Sequence, residues 1–160
     1  MNLYLVRHGE AKPKEEAPER PLSEWGRIEV MRVAAFVSEH TNVRVKNILH
    51  SGKLRARQTA EILAEFLKPL EGVHETSGLE PLADVSVWAD RLSEGEEDVL
   101  LVGHMPYLGR LAGLLLSGRA EDEPLAFRSG GIACLVRDDT GTWSVGWAIH
   151  PGVLSSHPRE

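Results

Sequence analysis

Short apolar runs punctuate this chain and end abruptly in small or charged residues. Leu3-Tyr4-Leu5-Val6 gives way at once to Arg7-His8-Gly9-Glu10. The run is too short for a helix and is closed by a glycine, so it predicts a strand buried on both faces. Asp98-Val99-Leu100-Leu101-Val102-Gly103 repeats the pattern and also ends in Gly-His, and Asn47-Ile48-Leu49-His50-Ser51 is a shorter version. Between these runs apolar residues recur at three- and four-residue spacing. Ser23 offers an N-cap for a helix over about 23–40, with Ile28, Met31, Ala34 or Ala35, and Val37 or Ser38 facing inward. A second helix follows Ser51 directly, with Ala56, Ala60, Leu63 and Leu67 inside, Ile62 and Phe66 widening that face, and Pro69 as a stop. A modest helix over about 84–92 carries Val85, Val87, Trp88 and Leu92. Pro106 suits the first turn of another, which holds Leu108, Leu111, Ala112 and Leu115 and stops near Gly118. Residues 9–22 and 70–82 show no period and read as loops, the second with a short strand around 73–76.

The last third changes character. Ile132-Ala133-Cys134-Leu135-Val136, the turn Asp138-Asp139-Thr140-Gly141, and alternating Trp143, Val145, Trp147 and Ile149 predict a β-hairpin with one heavily apolar face. Core packing is the expected use of Trp143 and Trp147, ahead of a dimer surface. Residues 151–160 read as a loose tail after a single domain over 1–150. Strands alternating with helices imply βαβ units. The fold class is therefore α/β: a single-domain three-layer α/β/α sandwich whose central sheet is mostly parallel, extended by the C-terminal antiparallel hairpin.

Composition narrows the function classes. The chain has 160 residues, 42% hydrophobic and 26% charged, as expected of a globular domain that needs no disulfide or metal to fold. A net charge of −6 without a lysine and arginine cluster argues against nucleic-acid partners, and no run is long enough to span a membrane. No leader pattern precedes the first strand, so a cytoplasmic location is expected. Cys134, the one cysteine, reads as a small core residue. No cluster of His, Cys and carboxylates has metal-ligand spacing, so neither metal nor cofactor is expected.

The candidate chemistry lies where strands end. Side chains leaving the carboxyl ends of neighbouring parallel strands share one crevice, which places His8 near His104 and adds Arg7. Arg55 enters from Ser51-Gly52-Lys53-Leu54-Arg55-Ala56-Arg57-Gln58-Thr59, the turn into the second helix. Arginine forks match phosphate oxygens, and helix-start amides add positive charge. His40, His50, His74, His150 and His157 carry no such context, and Lys53 and Arg57 read as solvated charges.

Arg7-His8-Gly9-Glu10, Pro21-Leu22-Ser23-Glu24-Trp25-Gly26, the segment from Ser51 to Ala60, and Gly103-His104-Met105-Pro106 occur in the order seen in the histidine phosphatase superfamily. The short length and the form of the motifs resemble its SixA-type phosphohistidine phosphatases most closely. Phe127-Arg128-Ser129-Gly130-Gly131-Ile132-Ala133 is similar to the segment entering the family's late strands. The resemblance implies that His8 is the nucleophile, forming a phosphohistidine that water hydrolyses, with Arg7, Arg55 and His104 binding the phosphoryl group. Gly9 would let the backbone turn close to the anion. Arg7 and Arg55 should hold His8 neutral, while bound phosphate would protonate His104. Asp84 and Glu80 fall where some members carry a leaving-group acid, although the surrounding motif does not match. An imidazole leaves more readily than an alkoxide, which favours a phosphohistidine-bearing protein as substrate over a small phosphorylated metabolite or phosphopeptide. The interval from Arg55 to His104 has no room for a cap, so the site should be open. A non-catalytic phosphate-binding module is the reading from another class.

Overall fold

The apolar runs beginning at Leu3, Ile48, Val99 and Ile132 form strands in the computed structural model, which describes residues 1–155. β1 (Asn2–Arg7), β2 (Ile48–His50), β3 (Val73–Glu75) and β4 (Val99–Gly103) make the parallel part of the sheet. β5 (Ile132–Arg137) runs antiparallel to β1, and β6 (Trp143–Ile149) antiparallel to β5. The strand order is β3-β2-β4-β1-β5-β6. Helices α1 (Glu24–His40) and α2 (Leu54–Leu67) pack on one face, α3 (Val85–Glu94) and α4 (Tyr107–Ser117) on the other. Tyr4, Val6, Leu100, Val102 and Cys134 point toward α1 and α2, whereas Leu3, Leu5, Leu101 and Leu135 point toward α3 and α4. Burial on both faces explains why these strands lack polar alternation. Each fully buried leucine contributes about 1.5–3 kcal/mol. Cys134 is part of this core, and burial pushes its thiol up to about 11.

The helix ends follow their caps. Ser23 Oγ accepts the Gly26 N–H at the start of α1, and Asp84 accepts the Ser86 N–H at the start of α3. Gly118, at φ +80°, closes α4.

Two faces differ from expectation. In α1 the buried line is Gly26, Val30, Val33, Ala34 and Val37, while Ile28 and Met31 are exposed. Gly26 sets this rotation, because a Cβ there would lie 2.1 Å from the Glu10 carbonyl oxygen. In α3 only Val85, Trp88 and Leu92 are buried, and Val87 is exposed. The hairpin does not carry one apolar face. Cys134 pairs with Trp147 and Leu135 with Val145, so Gly146 is an extra residue that switches the pleat. Trp143 therefore joins the α3/α4 side of the core, and Trp147 the other side, 6.2 Å from Tyr4 between ring centroids. Beyond β6, Pro151–Val153 form a 3-10 turn in which Pro151 is buried and Gly152 and Val153 are exposed, so the expected loose tail starts with an ordered turn. Residues 156–160, including His157, lie outside the described residues. Among the described residues no helix is long and apolar enough to cross a membrane.

Candidate active site

β1 and β4 lie side by side in parallel with Arg7 opposite Gly103, so the residues just beyond them emerge together. The His8 N–H donates to the Gly103 carbonyl at 3.1 Å, and the rings of His8 and His104 are 4.9 Å apart between centroids. His8 Nδ1 lies 2.7 Å from the Gly9 carbonyl oxygen. A carbonyl can only accept, so Nδ1 holds the ring proton and the lone pair is on Nε2. Arg55 Nε donates to that nitrogen at 3.3 Å. A guanidinium and a bare imidazole nitrogen thus share one point, which suits a nucleophile waiting for an anionic electrophile.

Arg7 leaves β1 toward the loop before β5, where its Nη1 donates to the Phe127 carbonyl at 2.8 Å. That loop is tied back by the Gly130 N–H, which is 3.1 Å from both the Arg7 and the His8 carbonyl oxygens. His104 is almost fully buried, and its Nε2 is 2.6 Å from Ser51 Oγ. Arg7 Nε and His104 Nδ1 are buried without a hydrogen-bond partner among the described residues. Buried orphan polar groups destabilise a fold, and these two belong to Arg7, which precedes His8 in the chain, and to His104, whose ring is 4.9 Å from that of His8.

Electrostatics agree with the geometry. Burial lowers His8 to about 4, with Arg55, Arg7 and Arg20 adding to the effect against the Gly9 hydrogen bond, which opposes it. Desolvation therefore outweighs the arginines as the reason this imidazole is neutral. His104 is lowered to about 3 by burial, then by His8, Arg55, Lys53 and Arg20. Burial also pulls Arg7 and Arg55 down from their ordinary values, but guanidinium starts so high that both stay cationic. An NMR titration should therefore find His8 with a midpoint near 4. Unfolded histidines titrate near 6.5, so below that pH the unfolded chain binds protons that the folded one refuses. Stability should be flat above this value and fall as the pH drops toward 4, and His8→Gln should reduce the pH dependence of the melting temperature over that window, His104 supplying the remainder. An ordinary midpoint for His8 would reject the burial argument.

The structure brings together His8, Arg55 and His104, with Arg7 at the end of β1, while Gly9 makes a contact other than the expected one. The Gly9 N–H donates to Thr59 Oγ1 at 3.0 Å rather than facing a ligand. A Cβ there would come within 2.7 Å of Val30 Cγ2, so the glycine serves the close approach of α1. Asp84 and Glu80 are exposed, and neither hydrogen-bonds to any of the four among the described residues. Asp84 Oδ1 accepts from the Ser86 N–H at 2.9 Å and its hydroxyl at 2.8 Å, which holds the carboxyl below its usual range. Glu80 Oε2 accepts the Gly78 N–H at 3.2 Å. His50 is buried, its Nδ1 accepting the Gly52 N–H at 3.0 Å. The residues missed are Ser51, Thr59 and Arg20. The first two stood in the quoted motif as plain turn and helix residues, and Arg20 sits in an aperiodic loop that offered no signal.

The family model for the histidine phosphatase superfamily, branch 1, matches residues 3–84. The chain belongs to that superfamily. Membership, together with the SixA phosphatases among its relatives, makes it a phosphatase with a histidine nucleophile. Phosphohistidine phosphatase SixA of Escherichia coli is 28% identical over 156 residues, covering 94% of each chain. An uncharacterised protein of Picosynechococcus is 35% identical over 127 residues, covering 74% of this chain and 75% of its own. The solved structure of the protein histidine phosphatase SixA complexed with tungstate superposes with a TM-score of 0.84 at 28% identity, covering 97% of this chain and all of that one.

Proposed function

We propose that this member of the superfamily is a metal-independent phosphatase that removes the phosphoryl group from phosphohistidine on a protein, with His8 as its nucleophile. His8 Nε2 attacks phosphorus as the P–N bond of the substrate breaks. The electron pair leaves with the substrate imidazole, which takes a proton from solvent. Water then attacks phospho-His8, releasing inorganic phosphate and returning the electron pair to Nε2. Arg7, Arg55 and His104 hold the phosphoryl oxygens through both steps, and guanidinium groups supply the charge compensation such a transition state requires.

The observation that carries the choice of leaving group is the state of Asp84. An alkoxide needs a proton donor poised near neutral pH, whereas Asp84 is committed to capping α3 and is held acidic. Imidazole departs without such help. The names of the SixA relatives and the bound tungstate, a tetrahedral oxyanion, support the same reading.

Turnover of a phosphohistidine protein, a phosphoserine peptide and small phosphate esters separates the possibilities. Phosphohistidine should exceed the esters by at least about 100-fold in kcat/KM. Asp84→Asn and Glu80→Gln should leave that order and the rates unchanged. Preference for an alkyl ester, lost selectively in either amide variant, would instead establish a phosphomonoesterase. Bound phosphate without turnover of any substrate would establish a binding module.

A further inference from the structure

Beside His8 the surface opens into a depression, and its lining is cationic. Arg55 forms the wall shared with the reactive centre, and Lys14, Arg20, Lys53 and Arg57 line the rest, with Glu19 as the carboxylate among them. In a chain of net charge −6 this concentration runs against the composition. Cations crowded together repel one another, so the arrangement gains most when an anion joins it.

Two independent features fix it in place. Arg20 adopts φ +51°, a left-handed conformation disfavoured for any residue with a Cβ. Its N–H donates to the Ala17 carbonyl at 2.9 Å and its Nε to the Lys12 carbonyl at 3.2 Å, which aim the guanidinium. From the other side, α2 begins with no side-chain cap and no acidic residue in its first turn. Lys53, Arg55 and Arg57 instead crowd the positive end of its dipole, the reverse of the stabilising arrangement. Arg57 is offset by Glu61 at 3.2 Å, while Arg20 and Lys53 form no ion pair among the described residues. Their charges reach the reactive centre, since both lower His104 and Arg20 also lowers His8.

We propose that this depression docks a carboxylate-rich segment flanking the phosphorylated residue, so that the enzyme selects phosphohistidine set among Asp and Glu on a protein surface. The inference rests on the phosphohistidine reading above. Arg20 and Lys53 are its specificity-determining residues, and their contribution is electrostatic and therefore sensitive to salt.

The test compares two phosphohistidine peptides of equal length, one flanked by Asp and Glu, the other by Ser and Gln. At low salt the acidic peptide should be favoured about tenfold in kcat/KM, as a few exposed ion pairs allow. The preference should shrink toward one near ~0.5 M salt. Arg20→Gln combined with Lys53→Gln should abolish it at low salt, read as a ratio because both residues also act on the histidines. Lys53→Glu alone should shift preference toward a lysine-flanked peptide, which keeps the test decisive should the double variant fold poorly. A ratio near one in the unaltered enzyme, or a ratio unchanged in the variants, overturns the proposal. Should only phosphoserine versions be hydrolysed, the phosphohistidine reading fails, and the same ratio measured on the phosphoserine pair still judges the depression.

Discussion

His8→Ala is expected to slow phosphate release by at least about 10⁴-fold on every substrate the enzyme turns over. The alanine removes the atom that would form the new P–N bond, and nothing nearby can replace it. His104 is the neighbouring imidazole, but its Nε2 is engaged with Ser51 and burial holds the whole ring in place. Rapid quenching with a radiolabelled substrate should trap an acid-labile, alkali-stable label on the unaltered protein and none on the variant. A variant that kept more than about one per cent of the rate would remove His8 from the nucleophile role.

Arg55→Ala should cost about 10³-fold, mainly in kcat, because the charge it contributes is needed most as the phosphoryl group transfers. Arg55→Lys should recover only part of this. An ammonium supplies the charge but not the planar fork, and it cannot reproduce the Nε hydrogen bond to His8. The same substitution to alanine should move the His8 midpoint upward, since Arg55 is the foremost of the charges lowering it. Steady-state kinetics and an imidazole titration read the two effects separately. A fully active Arg55→Lys enzyme, or a change confined to KM, would demote Arg55 from transition-state stabilisation to simple binding.

Much of this was readable from the chain because its central strands are buried on both faces. Leu3 to Val6 and Val99 to Val102 had no other use than a covered parallel sheet, and the residues that follow such strands must emerge into one crevice. What stayed hidden depended on single contacts. Apolar spacing could not tell which line of α1 faces inward, because the rotation is decided by one glycine pressed against Glu10. Period two predicted one face for the hairpin tryptophans, and one extra residue at Gly146 divided them. Within the site, the four charged or aromatic actors announced themselves by type and position. Ser51 and Thr59 did not, because their roles consist of hydrogen bonds between segments about 50 residues apart. Arg20 was invisible for a different reason: an aperiodic loop gives no clue to where its side chains converge.

That loop has a property with a bearing on how the site could be remodelled. Ala11 bridges to Leu22, the Lys12 N–H donates to the Pro21 carbonyl, and the Leu22 N–H is held by Gln58. The excursion between 13 and 20 is therefore pinched shut at its neck and hangs from the frame as a cassette. Closing a longer loop at a fixed neck costs only about 0.6 kcal/mol for each doubling of its length. Insertions there could grow a lid, or exchange one set of recognition residues for another, without shifting His8 by the fraction of an ångström its chemistry tolerates. The neck thus isolates the geometry of the reactive centre from changes in the length of the loop that carries Arg20.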